Sequence, residues 1–160
     1  MSRRLFVSLL VVLAFVPAGV VSPAGGIPGI YELSFHRSNG DPLLDDTLPV
    51  GRELVLKAHV MDVFGTDAQT GSVNFQVCSR AGIPLPSIDC DVNGTASWTN
   101  VITMKVTGEA CPGGLPGYAC VNFGFCRTPR SVGFRFRYTG QGSGIASGLS
   151  ASKNATWILP

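Results

Sequence analysis

A chain of 160 residues has room for one domain of ordinary size and little else. With 45% apolar residues, 14% charged residues and 31 Gly or Pro, it is neither a disordered chain nor a coiled coil, but a globular, turn-rich protein with few long helices. The formal net charge of +2 comes from Arg3 and Arg4; without them ten Lys or Arg face ten Asp or Glu, and no global field favours nucleic acid or an anionic membrane.

The chain opens with Ser2-Arg3-Arg4, an uncharged run from Leu5 to Val21, and Ser22-Pro23-Ala24-Gly25. These are the basic, apolar and small-residue regions of a signal peptide, and Ser22 and Ala24 place the expected cut after Ala24. Residues 1–24 are therefore expected to direct export, giving a secreted, periplasmic or cell-surface protein with no membrane span after cleavage. The alternative is an uncleaved anchor, for which 17 residues broken by Pro17 are at the short limit of a ~30 Å hydrocarbon core. Arg3-Arg4 also matches a twin-arginine signal, although the Leu- and Val-rich run favours the general secretory route.

Residues 25–30 read as a flexible leader into a domain spanning 31–160. From Tyr31 onward the apolar residues recur with a period of two. Tyr31, Leu33 and Phe35 alternate with Glu32, Ser34 and His36; Leu54, Leu56, Ala58 and Val60 with Val55, Lys57 and His59; Val73, Phe75 and Val77 with Ser72, Asn74 and Gln76. A fourth strand is expected from Ala96 to Val106, with Trp98, Ile102 and Met104 inward and only Asn100 breaking the pattern. Val121, Phe123 and Phe125 predict a fifth, Val132 to Tyr138 a sixth, and Ala155, Trp157 and Leu159 a seventh. Turn signals such as Asn39-Gly40-Asp41-Pro42, Phe64-Gly65-Thr66-Asp67 and Gly140 to Gly148 separate them. About seven short antiparallel strands predict an all-β sandwich with Phe35, Leu56, Phe75, Trp98, Val121, Phe134, Phe136 and Trp157 in its core.

Five cysteines, all from Cys78 onward in an exported chain, point to disulfides, with one left over. Choosing the odd one and pairing the rest allows fifteen arrangements. The most local candidate is Cys111–Cys120 around Pro112-Gly113-Gly114-Leu115-Pro116-Gly117, where Pro and Gly favour a reversal, and Cys78–Cys90 is the second.

The stretch Lys57 to Asp62 with Phe64-Gly65, then Gly71 to Phe75, resembles the second and third strands of bacterial immunoglobulin-like domains of the invasin and intimin type. Val132 to Tyr138, closed by Gly140 to Ala146, is similar to the penultimate strand and loop of the same group. The resemblance covers about residues 31 to 159 and implies an immunoglobulin-like β-sandwich in a bacterial surface protein with binding, structural or adhesive roles, its partner an unidentified protein or glycan.

No residue pattern announces catalysis. Gly140 to Gly148 lacks the following helix and the acidic residue that a dinucleotide site needs. Asp41, Asp45 and Asp46 fit no calcium loop and read as turn residues. His36 and His59 adjoin no Gly-x-Ser-x-Gly elbow and no zinc-spaced cysteines, so both are placed on strand or loop surface. No catalytic, cofactor-binding or metal-binding residue and no cofactor is expected. Arg127, Arg130, Arg135 and Arg137 fall within eleven residues, either as a solvated outer face or as a patch that contacts an anion or an acidic glycan. Asn93-Gly94-Thr95 and Asn154-Ala155-Thr156 match the N-glycosylation pattern. A non-catalytic binding module is thus the leading expectation. Its alternatives are a carbohydrate-binding module using Trp98, Trp157 or Tyr118, and a small secreted hydrolase using a carboxylate pair.

Overall fold

The structure, a computed structural model, describes residues 26–78, 87–88, 98–99, 101–124 and 126–160. The expected signal segment, Cys90, Phe125, the Asn93 motif and the side chain of Trp98 lie outside what it describes. Among the described residues the chain is all-β. Its strands are β1 (Gly29–Arg37), β2 (Thr47–Pro49), β3 (Leu54–Asp62), β4 (Ser72–Cys78), β5 (Ser87–Ile88), β6 (Trp98–Thr99), β7 (Val101–Lys105), β8 (Tyr118–Phe123), β9 (Arg130–Thr139), β10 (Gly148–Leu149) and β11 (Lys153–Ile158).

Two main sheets form a sandwich-like arrangement. One is three-stranded, in the order β1-β3-β8; the other runs β2-β11-β9-β4-β7, with β10 also paired to β9. Among the described strands the pairings are antiparallel except β2 with β11, which is parallel, and β5 pairs with β6. The period-two pattern explains the packing directly. In β3, Leu54, Leu56, Ala58 and Val60 are fully buried, and in the opposite sheet Val73, Phe75, Phe134, Phe136 and Trp157 meet them. Rings interlock across the two layers: Phe134 lies edge-on to Phe35 at 5.8 Å and to Phe123 at 4.9 Å, while Phe123 lies 5.8 Å from Trp157. Such pairs add about 0.5–1.5 kcal/mol each beyond the area they bury. The polar tips of the large rings are satisfied. Trp157 donates its indole N–H to the Arg52 carbonyl at 2.8 Å, and Tyr138 donates to the Thr70 carbonyl at 3.0 Å.

Several expectations are corrected. The run expected as one strand from Ala96 to Val106 contributes two described strands, β6 and β7, which belong to different sheets. The fifth strand starts three residues early, at Tyr118, and its Val121 is only partly buried. Leu159 lies past the end of β11 and is 68% exposed, because the last core position is Trp157. The leader is tied down over its described part. Ile27 donates to the Gly144 carbonyl at 2.8 Å, its carbonyl accepts from Ala146 at 2.7 Å, and β1 begins at Gly29. A side chain at Gly26, whose φ is 81°, would meet the Gly144 carbonyl oxygen at 2.5 Å, so this close approach needs glycine.

Candidate functional site

The outer face of the three-stranded sheet carries the side chains that alternation turns away from the core. The register aligns them in rows: Glu32 with His59 and Tyr118, Ser34 with Lys57 and Cys120, His36 with Val55 and Asn122. Lys57 and Cys120 of the second row and the whole third row floor a groove of about 410 Å³. One wall is the turn after β1, with Arg37, Ser38 and Gly40; the other is Glu109, Ala110, Cys111 and Pro112.

Local chemistry builds each wall. After β1, Gly40 donates to the Arg37 carbonyl at 2.9 Å, and Gly40 itself holds a φ of 91° that a side chain would strain. Nδ1 of His36 lies 3.1 Å from the Gly40 carbonyl oxygen. A carbonyl can only accept, so Nδ1 carries the proton there, and in a neutral ring Nε2 is left to accept the Ser34 hydroxyl at 3.0 Å. That hydroxyl also lies 3.4 Å from the Lys57 carbonyl. The opposite wall is folded back onto the sheet by the Cys111–Cys120 disulfide, which joins residues nine apart. Backbone bonds shape it further: Cys111 donates to Gly108 at 2.8 Å, and Gly108 donates to Tyr118 at 2.9 Å. Gly108 is required, since a Cβ there would lie 2.2 Å from the Leu115 carbonyl oxygen.

Beside the groove, the first row is occupied by its own contacts. His59 stacks on Tyr118 at 4.2 Å with an interplanar angle of 8°, and the Lys57 ammonium lies 4.6 Å from the centre of the same ring. Nε2 of His59 is 2.6 Å from Asp67 and Nδ1 is 3.4 Å from Glu32. Burial pushes the Tyr118 phenol up, and the negative charges of Asp67 and Glu32 push it further, so the ring stays neutral. Both acids turn toward one imidazole rather than facing each other across an open cleft. Among the described residues, Glu109 is the acid that lines the groove.

The four arginines lie on β9 and in the loop before it. Arg135 and Arg137 share the outer face of the six-stranded sheet, beside Gln76 and Asn74 of β4, and Arg135 donates from Nε to Gln76 at 2.9 Å. Arg130 has the opposite parity and stands at the start of β9, with Arg127 in the loop before it. Seven residues of strand separate Arg130 from Arg137 by roughly 23 Å. Asp45 accepts from the Thr47 backbone at 3.3 Å, and its carboxyl is held below the usual range by the Thr47 side chain and then by that N–H; Asp46 pairs with Lys153 at 3.0 Å. Asp41 accepts from Asn39 at 2.7 Å, so the aspartates serve the turn.

The Cys111–Cys120 bridge is present. Cys78, by contrast, is a free and buried thiol, so the expected Cys78–Cys90 bridge is corrected. It ends β4 opposite Gly133 of β9, where burial pushes the thiol up and Arg135 opposes that shift. Cys126 is disulfide-bonded and fully buried. Among the proposed sugar-stacking rings, Trp157 is fully buried and Tyr118 is engaged by His59 and Lys57. Among the described residues, no group of three or more His, Cys, Asp or Glu could hold a metal ion, and no helix is long and apolar enough to cross a membrane.

The groove itself was not anticipated from sequence. Part of its signal was present, because Ser34-x-His36 on a strand puts both side chains on one face, but the walls depend on register and a disulfide.

Comparison with known protein families, curated proteins and solved structures finds no match.

Proposed function

We propose that the protein is an exported, non-catalytic immunoglobulin-like module that binds a ligand at or outside the cell surface. The observation that carries this reading is the groove: a concave, walled site on a three-stranded sheet, lined by Arg37, Lys57, Asn122 and Glu109 among others. The immunoglobulin-like assignment is supported by strand order. β1, β3 and β8 correspond to strands A, B and E of that fold, and β11, β9 and β4 to G, F and C, with β7 in the place of C′. The resemblance of residues 57–75 and 132–146 to bacterial surface domains points the same way. Export is supported by the character of residues 1–24 and by a disulfide that suits an oxidising compartment.

The hydroxyl of Ser34 beside a ring nitrogen of His36 is the feature a hydrolase would use. Here the ring is oriented by a neutral carbonyl, and the pair braces the wall of the groove. The test uses the exported chain, residues 25–160. It is expected to bind cells of the source organism saturably, to lose that binding in Lys57→Glu, and to hydrolyse p-nitrophenyl acetate no faster than a Ser34→Ala variant. Hydrolysis that disappears with Ser34 would overturn the non-catalytic assignment, and binding indifferent to Lys57 would overturn the site.

A further inference from the structure

We infer that the groove takes a saccharide bearing an acidic group, a uronate or a sulfated sugar; this rests on the binding role proposed above. Three observations converge on that chemistry. First, the groove presents two cations from different elements, Arg37 on the turn wall and Lys57 on the floor, and neither forms an ion pair with a described residue. Cations presented from different elements around one concavity attract an anionic group. Second, Glu109 on the facing wall is also without an ion pair among the described residues. A bare anion filling the groove is repelled there, whereas a ligand with an acid at one end and hydroxyls at the other gives its charge to Arg37 and Lys57 and its hydroxyl protons to Glu109. Asn122, with donor and acceptor on one amide, suits the ring hydroxyls between them. Third, a groove of about 410 Å³ is larger than one sulfate or carboxylate fills and within the range of small-molecule sites.

The aromatic geometry sets the specificity. Tyr118 adjoins the floor, but His59 and Lys57 already occupy its ring. Recognition is therefore ionic and hydrogen-bonded rather than stacking, and a neutral sugar of the same size lacks the main attraction.

The experiment is calorimetric or NMR titration of the exported chain with sodium glucuronate, glucose 6-sulfate, glucose and sodium sulfate. Glucuronate or the sulfated sugar is expected to bind at least tenfold more tightly than glucose and than inorganic sulfate. Arg37→Met and Lys57→Met should each weaken it about tenfold, with unchanged circular dichroism. Glu109→Gln should weaken the acidic sugar while leaving inorganic sulfate unchanged or tighter. Equal affinity for inorganic sulfate and the acidic sugars would overturn the inference, as would equal affinity for glucose. Should neither acidic sugar bind while the protein still binds cells through Lys57, this inference falls and the binding role survives; if cell binding is also independent of Lys57, both fall.

Discussion

Removing the Cys111–Cys120 bridge is the most direct probe of how the groove is held. The link closes a short loop, residues nine apart, and the chain-entropy account assigns a loop of that size about 2.7 kcal/mol. The double replacement Cys111→Ala, Cys120→Ala avoids burying new polar atoms at two positions that are 8% and 2% exposed. For a domain of this size the loss should lower the melting temperature by roughly 10 °C, followed by calorimetry or thermal circular dichroism. Ligand affinity should fall further than stability alone explains, because Glu109 to Pro112 would then be restrained only by backbone bonds such as Cys111 to Gly108 and Gly108 to Tyr118. A melting shift below about 3 °C would refute the loop-closure argument. A normal melt after correction, with unchanged affinity, would show that the backbone bonds alone keep the wall in place.

Other outcomes follow from the core and its edges. Phe134→Ala empties a fully buried site between Phe35 and Phe123 and should cost about 3–5 kcal/mol, read as a lower urea midpoint with an unchanged slope. Tyr31→Phe removes the hydrogen bond to the Ala146 carbonyl and should cost about 1 kcal/mol at neutral pH. Burial, and then the neighbouring Tyr138, raises the Tyr31 phenol, so the folded state holds its proton longer than the unfolded chain does. That contribution is complete below the ordinary tyrosine range and is lost as pH rises through the folded value. Stability above about pH 10 should therefore fall more steeply in the native protein than in Tyr31→Phe, as urea midpoints at successive pH values will reveal. Cys78, buried and raised by burial, should resist iodoacetamide in the native protein and react once it is unfolded, as peptide mass mapping will show.

Alternation carried most of the fold. Leu54 to Val60, Val73 to Val77 and Val132 to Tyr138 each repeat every second residue, and that spacing alone identifies the face that meets the opposite sheet. The short strands β2 and β10 span three and two residues, too few for any period to register; β2 is defined by a partner far along the chain, β11, and β10 by the preceding β9. Parity on β9 likewise places Arg135 and Arg137 together on the face opposite Phe134 and Phe136, which the sequence already shows. The Cys111–Cys120 bridge could be read from its Pro- and Gly-rich interval, yet the floor of the groove could not. Lys57, Cys120 and Asn122 become neighbours only through the pairing of β3 with β8, and nothing local in either segment encodes that register.

The parallel seam between β2 and β11 has a kinetic corollary. Trp157 seats against the Arg52 carbonyl across a separation of 105 residues, and Leu48 pairs beside it, so the core is completed by β11, far in sequence from β2. Such distant closures raise contact order and slow folding. A polypeptide emerging N-terminus first can pair β1 with β3 early but must wait for β11 before the two layers seal.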